Sequence, residues 1–410
     1  MIKDKLTVMV TIKDRVNTLP RAMNYYKDFP CDVIYLDSTA KKKSPRHKTQ
    51  FHRRVGSDIL YLLGPEDELP KTHEYRHTPD KNYCEKIYEC CNTIKTKYSV
   101  IVCDDDFLSP TGLEECVDYL DQNPSCVSCR GQTASLNDSF IAVESLEYFL
   151  EIMFPFSSDC PKERVKYAWS HFNGASVHNI VRNDVQKNIF KFVLDNPQFN
   201  AIKFFDKIHS FMTAVQGDSA VLPIFFGLRS DESKTGHFVS DPKRKKLWNG
   251  HLNFKDDFLK VDLKPMQEIL GVDEKFIEEI FHDLVDGGIM NDDIDRLFQF
   301  HLVPPQSKFS YSEYLNFAVL DKNGHKTGLT KNAYGCKFVL GVINGYEVIL
   351  RMGVGGDLYG DNKGYEKWYA SQHKTKISDE IIINTLYPII SEKNLKQIYR
   401  IISFIERFPL

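Results

Sequence analysis

An α/β fold, a mostly parallel sheet with helices on its faces, is predicted by three features of the first half of the chain. Short β-rich runs alternate with segments of helical spacing. One of those runs is apolar almost throughout, as a strand buried on both faces must be. Acidic residues stand where several of the runs end, and in such sheets ligands bind at the carboxyl ends of the strands.

Taken in order, LTVMVTI (6–12) is the first strand, followed by helical spacing at Leu19, Ala22, Met23 and Tyr26. CDVIYLD (31–37) is a second strand and DILYLL (58–63) a third. CEKIYECCNTI (84–94) has helical spacing, and YSVIVC (98–103) is the nearly continuous apolar run of a central strand. Ser109 is placed to cap the helix PTGLEECVDYLDQN, with Pro110 at its first position. PSCVSCRG then alternates as a strand. At 410 residues the chain exceeds one small core, and two domains are expected, 1–238 and 239–410. The texture changes at the linker-like DPKRKKLWNG, and an α+β character follows. EKFIEEIFHDLVDGGI (274–289) is helical, and KFVLGVINGYEVILRM (337–352) is a hairpin turning at Asn344-Gly345. The glycines of RMGVGGDLYGDNKG follow no strand-to-helix turn and read as a loop. The tail, LYPIISEKNLKQIYRIISFIERFPL, is read as a packed amphipathic helix, with a membrane-surface helix as the alternative.

Composition is that of a globular protein, and a net charge of −3 gives no reason to expect a nucleic-acid partner. The basic clusters at 41–48, 52–54 and 243–246 read as solvated, with anionic lipid or glycan contact as the alternative. Charges interrupt the opening MIKDKLTVMVTIKDR, so it does not read as a signal peptide, and no apolar run reaches the ~18 residues a membrane span needs. The expected location is cytoplasmic, with peripheral contact at the inner membrane face as the alternative. Ten cysteines suit a reduced compartment and form no zinc pattern; Cys126 and Cys129 are the one C-x-x-C.

SVIVCDDDFLSP (99–110) carries the chemistry. Asp104, Asp105 and Asp106 repel one another at the end of a buried strand, so a positive partner is expected there. Asp37 ends the second strand and Asp14 follows the first, so acidic groups from three strand ends should meet on one rim. Hard oxygen ligands without a nearby histidine or cysteine suit Mn²⁺ or Mg²⁺ rather than zinc.

The order of these features resembles the nucleotide-sugar-binding domain of family 2 glycosyltransferases, inverting enzymes of GT-A fold. LTVMVTIKDRVNTLPRAM places Thr11, Ile12, Lys13, Asp14 and Arg15 over the family's first motif, and Leu19, Arg21 and Ala22 over its first helix. Thr11 and Lys13 depart from the usual proline and tyrosine, and Asp14 from asparagine. The resemblance implies that Asp37 and the Thr11–Arg15 loop hold the nucleoside. It also implies that Asp104 and Asp106 are the D-x-D that holds a metal-diphosphate, Asp106 most directly, with Asp105 beside it. FFDKIHSFMTAVQGDSAVLP places Asp206 where the family's catalytic base lies, Gly217 after a helix and Pro223 beyond; Asp218, Asp231 and Glu232 are rival bases. SHFNGASVHNIVRND matches a small-residue strand ending in Arg182, and His237 in LRSDESKTGH is a candidate late metal ligand. Lys81, Asn82 and Lys86 are the candidates for the polar pair before the metal strand. Lys86 or Arg76 is weighed for phosphate contact against a solvated surface, and Trp169 with His171 as a sugar platform against a core tryptophan.

The implied function is a metal-dependent transfer of sugar from a nucleotide-diphosphate sugar to a glycan or lipid-linked acceptor in surface-polysaccharide synthesis, with inversion. A sugar nucleotidyltransferase is the first rival, but VTIKDRVNTLP lacks the glycines of a phosphate loop. A binding protein on the same fold, without catalysis, is the second.

Overall fold

The computed structural model describes residues 2–13, 18–39, 69–137, 140–143, 158–170, 177–200, 202–230, 260–286, 298–303, 318–320, 326–329, 337–343, 346–352 and 392–407. Among the sequence expectations, Asp14, Arg15, His171, Asp231, Glu232, His237, the run 58–63, the basic clusters, the linker-like stretch and the glycine loop lie outside these residues.

The core is the predicted parallel sheet. Strand β1 (Leu6–Ile12) is hydrogen-bonded on one side to β2 (Asp32–Asp37) and on the other to β4 (Tyr98–Cys103), both parallel. β3 (His73–His77) adds to β2, also parallel. β1 is buried at every position because both faces are covered. Val8, Val10 and Ile12 pack with Leu19, Ala22, Met23 and Tyr26 of helix α1 (Thr18–Tyr26). Met9 faces the other way, into the cluster that holds Ile87, Cys90 and Cys91 of α2 (Tyr83–Thr93). A capping box at Asn82 and Glu85 starts α2.

Beyond β4 the order turns mixed. β5 (Asp106–Leu108) lies off the main strand path of the same sheet, and α3 (Pro110–Gln122) starts at Ser109, whose side chain accepts from Gly112 N as the sequence predicts. β6 (Cys126–Asn137) carries the two cysteines of the C-x-x-C motif as buried free thiols. The short β8 (Ile180–Arg182) lies between β4 and β6, antiparallel to both, so β6 runs parallel to β4. After α4 (Pro161–Ser170), α5 (Asn183–Asp195) and α6 (Ile202–Gln216), β9 (Asp218–Ser230) runs parallel to β6 and ends against β5, antiparallel, with Asp106 opposite Arg229. The architecture is α/β, with a mostly parallel core flanked by helices, as expected.

The sheet continues into the C-terminal half. β7 (Phe140–Val143) pairs with β10 (Phe298–Val303), and β10 with β14 (Tyr346–Met352). β13 (Lys337–Ile343) joins β14 in the predicted hairpin, Ile343 opposite Tyr346. A separate pair is formed by β11 (Ala318–Leu320) and β12 (Lys326–Leu329). Helices α7 (Lys264–Leu270) and α8 (Glu274–Asp286) contribute Met266, Leu270, Ile277 and Ile280 to the same apolar cluster as α5 and α6.

The tail forms α9 (Glu392–Arg407), packed as expected: Ile398, Ile401 and Ile405 are buried. Phe404 meets Tyr25 and Phe107 edge-on, and Gln397 bonds Ser109 and Thr111 at the start of α3. The isoleucines that suggested a membrane-surface helix are thus used in packing. No helix among the described residues is long and apolar enough to cross a membrane.

Candidate active site

Register brings the acidic strand ends together. Ile12 stands beside Asp37 across β1 and β2, and Thr11 beside Cys103 across β1 and β4, so Asp37 and the Asp104–Asp106 run share the carboxyl edge. Asp37 is fully buried and held by two donors: the Tyr75 hydroxyl at 2.6 Å and Thr39 N at 2.8 Å. The Thr11 hydroxyl is turned to Val102 O at 3.3 Å.

Lys86 was weighed as a solvated or phosphate-binding lysine, and it is neither. It is 3% exposed, and its ammonium donates to Ile12 O at 3.0 Å, Leu36 O at 2.9 Å and Ser38 Oγ at 3.2 Å, tying β1 to β2 directly beneath the rim. Burial lowers its pKa to about 8, against the pull of Asp37 and Asp104. Arg76 is also committed elsewhere: Nε and Nη2 pair with the Glu74 carboxylate at 2.6 and 2.7 Å, and Nη1 reaches the Thr93 hydroxyl at 2.7 Å. Lys81 pairs with Glu89, and Asn82 is the helix cap.

The three aspartates have different surroundings. Asp104 is 2% exposed and receives the Thr18 hydroxyl at the start of α1, so it positions that helix against the rim. Asp105 is half-exposed. Asp106 is 9% exposed; its backbone carbonyl accepts from the Tyr26 hydroxyl at 2.8 Å. Arg229 Nε lies 3.8 Å from its carboxylate, an ion pair too long for a hydrogen bond. The Arg21 guanidinium lies over the Phe107 ring, 5.4 Å from its centroid.

Topology also delivers Asp206. Helix α6 ends at Gln216, next to the amino end of β9, so it runs back against β9 and its first turns lie toward the carboxyl edge. Burial raises the Asp206 pKa to about 6, although Lys207 and Arg229 both oppose the shift. Arg229 therefore acts on Asp206 and on Asp106 alike. The Tyr83 phenol, raised chiefly by burial, is raised further by Cys103 and Asp206, which places it between β4 and α6. The rival base Asp218 is at the other edge: it begins β9 level with Cys126, roughly 30 Å of strand away from Arg229.

Trp169 is no sugar platform. It is fully buried, its ring lies 5.6 Å from that of Phe211, and its indole N–H donates to Lys207 O at 3.3 Å. Arg182 is structural, donating to the carbonyls of Cys126, Leu120 and Asn123 at the end of α3.

Three residues at the rim were not singled out from the sequence: Arg130, His178 and Arg229. Together with Asp106 and Thr133 they supply the polar lining of a cleft beside β5 and β9, whose apolar wall includes Phe107 and Phe226. Arg130 is 2% exposed and donates to Gly131 O at 3.1 Å and to the Thr133 hydroxyl at 2.5 Å. The expectation of carboxylates without a nearby histidine or cysteine is also corrected. Cys103, Asp106 and His178 offer ligand atoms within 4.8 Å of one another. The signal for His178 was readable only with the register in hand: β8 is antiparallel to β4, so the residues just before it fall at the carboxyl edge.

No family model matches the chain, and no curated protein matches it in sequence. Among solved structures, S. aureus TarS 1–349 aligns at 9% identity over 71% of this chain and 73% of that one, with a TM-score of 0.40. The same protein in complex with UDP-GlcNAc aligns at 11% identity over 71% and 74%, TM-score 0.38. The mannosyltransferase PcManGT from Pyrobaculum calidifontis, in complex with GDP-Man and Mn²⁺, aligns at 11% identity over 70% and 74%, TM-score 0.38.

Proposed function

We propose that this chain is a metal-dependent glycosyltransferase that moves a sugar from a nucleotide-diphosphate sugar to a hydroxyl of a glycan or lipid-linked acceptor in surface-polysaccharide synthesis, with inversion. The observation that carries this reading is that Asp37 and Asp104–Asp106 share one sheet edge, from segments far apart in the chain, with Arg229 acting on both Asp106 and Asp206. An edge that only had to be soluble would not bury Asp37 and Asp104 there or hold Asp206 above the ordinary carboxylate range.

In this reading Thr11, Ile12 and Lys13, with Asp14 and Arg15, frame the nucleoside, and Asp37 anchors it. The donor set fits a divalent cation, because Asp106 lines the cleft and Asp105 beside it is half-exposed, both with carboxylate oxygens to offer. Asp106 would hold the ion most directly, Asp104 would keep the turn in place, and His237 remains a proposed further ligand. When bound, Mn²⁺ or Mg²⁺ neutralises negative charge on the departing diphosphate. Asp206 takes the proton of the acceptor hydroxyl; that oxygen bonds to the anomeric carbon as the carbon's bond to the diphosphate breaks, and nucleoside diphosphate leaves. With a pKa of about 6 it is ionised at neutral pH yet more basic than an ordinary carboxylate. Residues 1–238 form the donor unit in this proposal, and 239–410 serve acceptor recognition or assembly.

Release of nucleoside diphosphate from UDP-, GDP- and TDP-sugars is the test. One donor should be turned over in Mn²⁺ by the wild type and not by Asp106→Ala. Folded wild-type protein that turns over none of them, while binding a nucleotide, would instead be the binding protein.

A further inference from the structure

The turn after β2, residues 37–39, is fastened from three elements. From β1, Ile12 O accepts from Ser38 N at 3.0 Å. From β3, the Tyr75 hydroxyl donates to Asp37 Oδ2 at 2.6 Å and His77 Nε2 to Thr39 O at 2.8 Å. Just beyond that strand, Thr78 N donates to Asp37 O at 2.8 Å. From α2, the three donors of the Lys86 ammonium meet three oxygens, Ile12 O, Leu36 O and Ser38 Oγ. Asp37, Ser38 and Thr39 are 0%, 5% and 0% exposed. The strands have a tie without these side chains, because the β1–β2 ladder already pairs Thr11 with Leu36 and Ile12 with Asp37. Burying an ammonium there costs stability, and its pKa falls to about 8 in consequence. Connections at a strand end are ordinarily the adaptable part of a fold, and here a buried charge and a phenol fix one.

We propose that Tyr75 and Lys86 are positioning residues for the nucleoside half of the donor, holding Asp37 in one orientation without touching the donor themselves. The inference rests on the reading that Asp37 meets the nucleoside. A carboxylate accepts about four hydrogen bonds. The Tyr75 hydroxyl occupies one position on Oδ2 and Thr39 N one on Oδ1, which fixes the plane of the group and the direction of its further acceptor positions. Lys86 fixes the backbone on either side of that carboxylate, through Leu36 O before it and Ser38 Oγ after it. Because the turn is set before a nucleoside arrives, binding does not have to order it, and affinity gains accordingly.

Calorimetry on the full chain, with Mn²⁺ and each of UDP, GDP and TDP, compares wild type with Tyr75→Phe, Lys86→Met and Arg76→Gln. Tyr75→Phe should weaken the nucleotide that the wild type binds by about tenfold or more, the effect of losing a hydrogen bond to a charged group. Lys86→Met should weaken it further. Arg76→Gln should leave it unchanged, because Arg76 points to the opposite face of β3 and pairs there with Glu74 and Thr93. In donor turnover, Tyr75→Phe should raise KM by a similar factor with kcat within about threefold, the mark of lost binding and not of a disturbed reacting centre. Where Lys86→Met fails to fold, Tyr75→Phe decides, since it removes one oxygen from a half-buried side chain. Folded Tyr75→Phe that binds the nucleotide as tightly as wild type would overturn the inference and leave the glycosyltransferase reading intact. A fall in kcat with KM unchanged, or an equal loss of binding in Arg76→Gln, would overturn it in the same way. A folded wild type that binds none of the nucleotides would remove the reading itself, and this inference with it.

Discussion

At the amino ends of β1 and β4, Asp121 receives Lys5 Nζ at 2.7 Å, Lys97 Nζ at 2.6 Å and the Tyr98 hydroxyl at 2.7 Å. At the carboxyl ends of the same strands, three aspartates follow one another, with Asp37 beside them and Arg229 in loose contact with Asp106. Burial alone would raise the Asp121 pKa, but its three donors hold it below the usual carboxylate range. Burial raises Asp206 at the opposite edge, and there the nearby cations do not reverse it. Charge at the amino edge is neutralised within the chain, which is what stability asks. At the carboxyl edge several carboxylates from separate segments come together beside Lys86 and Arg229, as a ligand-binding edge requires.

The contrast is most sharply tested at Asp206. Asp206→Asn should lower glycosyl transfer by about 10²–10⁴-fold, the contribution of a general base. It should also stabilise the protein at pH 7–8. The folded pKa, about 6, lies above the ordinary 3.8, so the stability contributed by the neutral carboxyl is full below about pH 4 and lost as pH rises through 6. A neutral asparagine escapes that loss, and a gain on the order of 2 kcal/mol at pH 8, vanishing near pH 4, should appear in denaturant melts. The wild-type rate should rise with pH through about 6, and a flat profile would remove Asp206 from the role of base. Asp106→Ala should cost about 10²–10³-fold in turnover with little change in melting temperature.

Effects on the scaffold should be smaller. Helix α3 approaches β9 so closely that a Cβ on Gly112 would lie 2.4 Å from Phe225 O. Gly112→Ala should therefore destabilise by about 1–3 kcal/mol in denaturant melts, because backbone must shift. Asp121→Asn should cost about 1 kcal/mol, less at high salt, since the network is partly solvated. It should leave nucleotide binding unchanged; a loss of binding would mean that the two edges are not independent.

Much of this arrangement was legible in the chain. β1 and β4 run over the residues drawn for them because burial on both faces leaves an unbroken apolar run. Ser109 was legible because a cap followed by proline has a local cause. β3 was not, since HEYRH is the outermost described strand on its side and only His73 is buried. Lys86 was misjudged because polarity suggested solvent, whereas its ammonium is used up on three oxygens beneath the rim. His178 and Arg229 depend on register between segments more than 70 residues apart, which no local pattern carries. The Asp206 position came from the family resemblance alone; its raised pKa comes from packing.

The central claim is that the carboxyl edge holds a nucleotide through a metal. Calorimetric titration with UDP, GDP, TDP and CMP, with and without Mn²⁺, on wild type and Asp106→Ala tests it most directly. Metal-dependent binding of one nucleotide, lost in the variant, is the predicted result and names the donor class. Binding of none, with or without the ion, by a folded wild-type chain would contradict it.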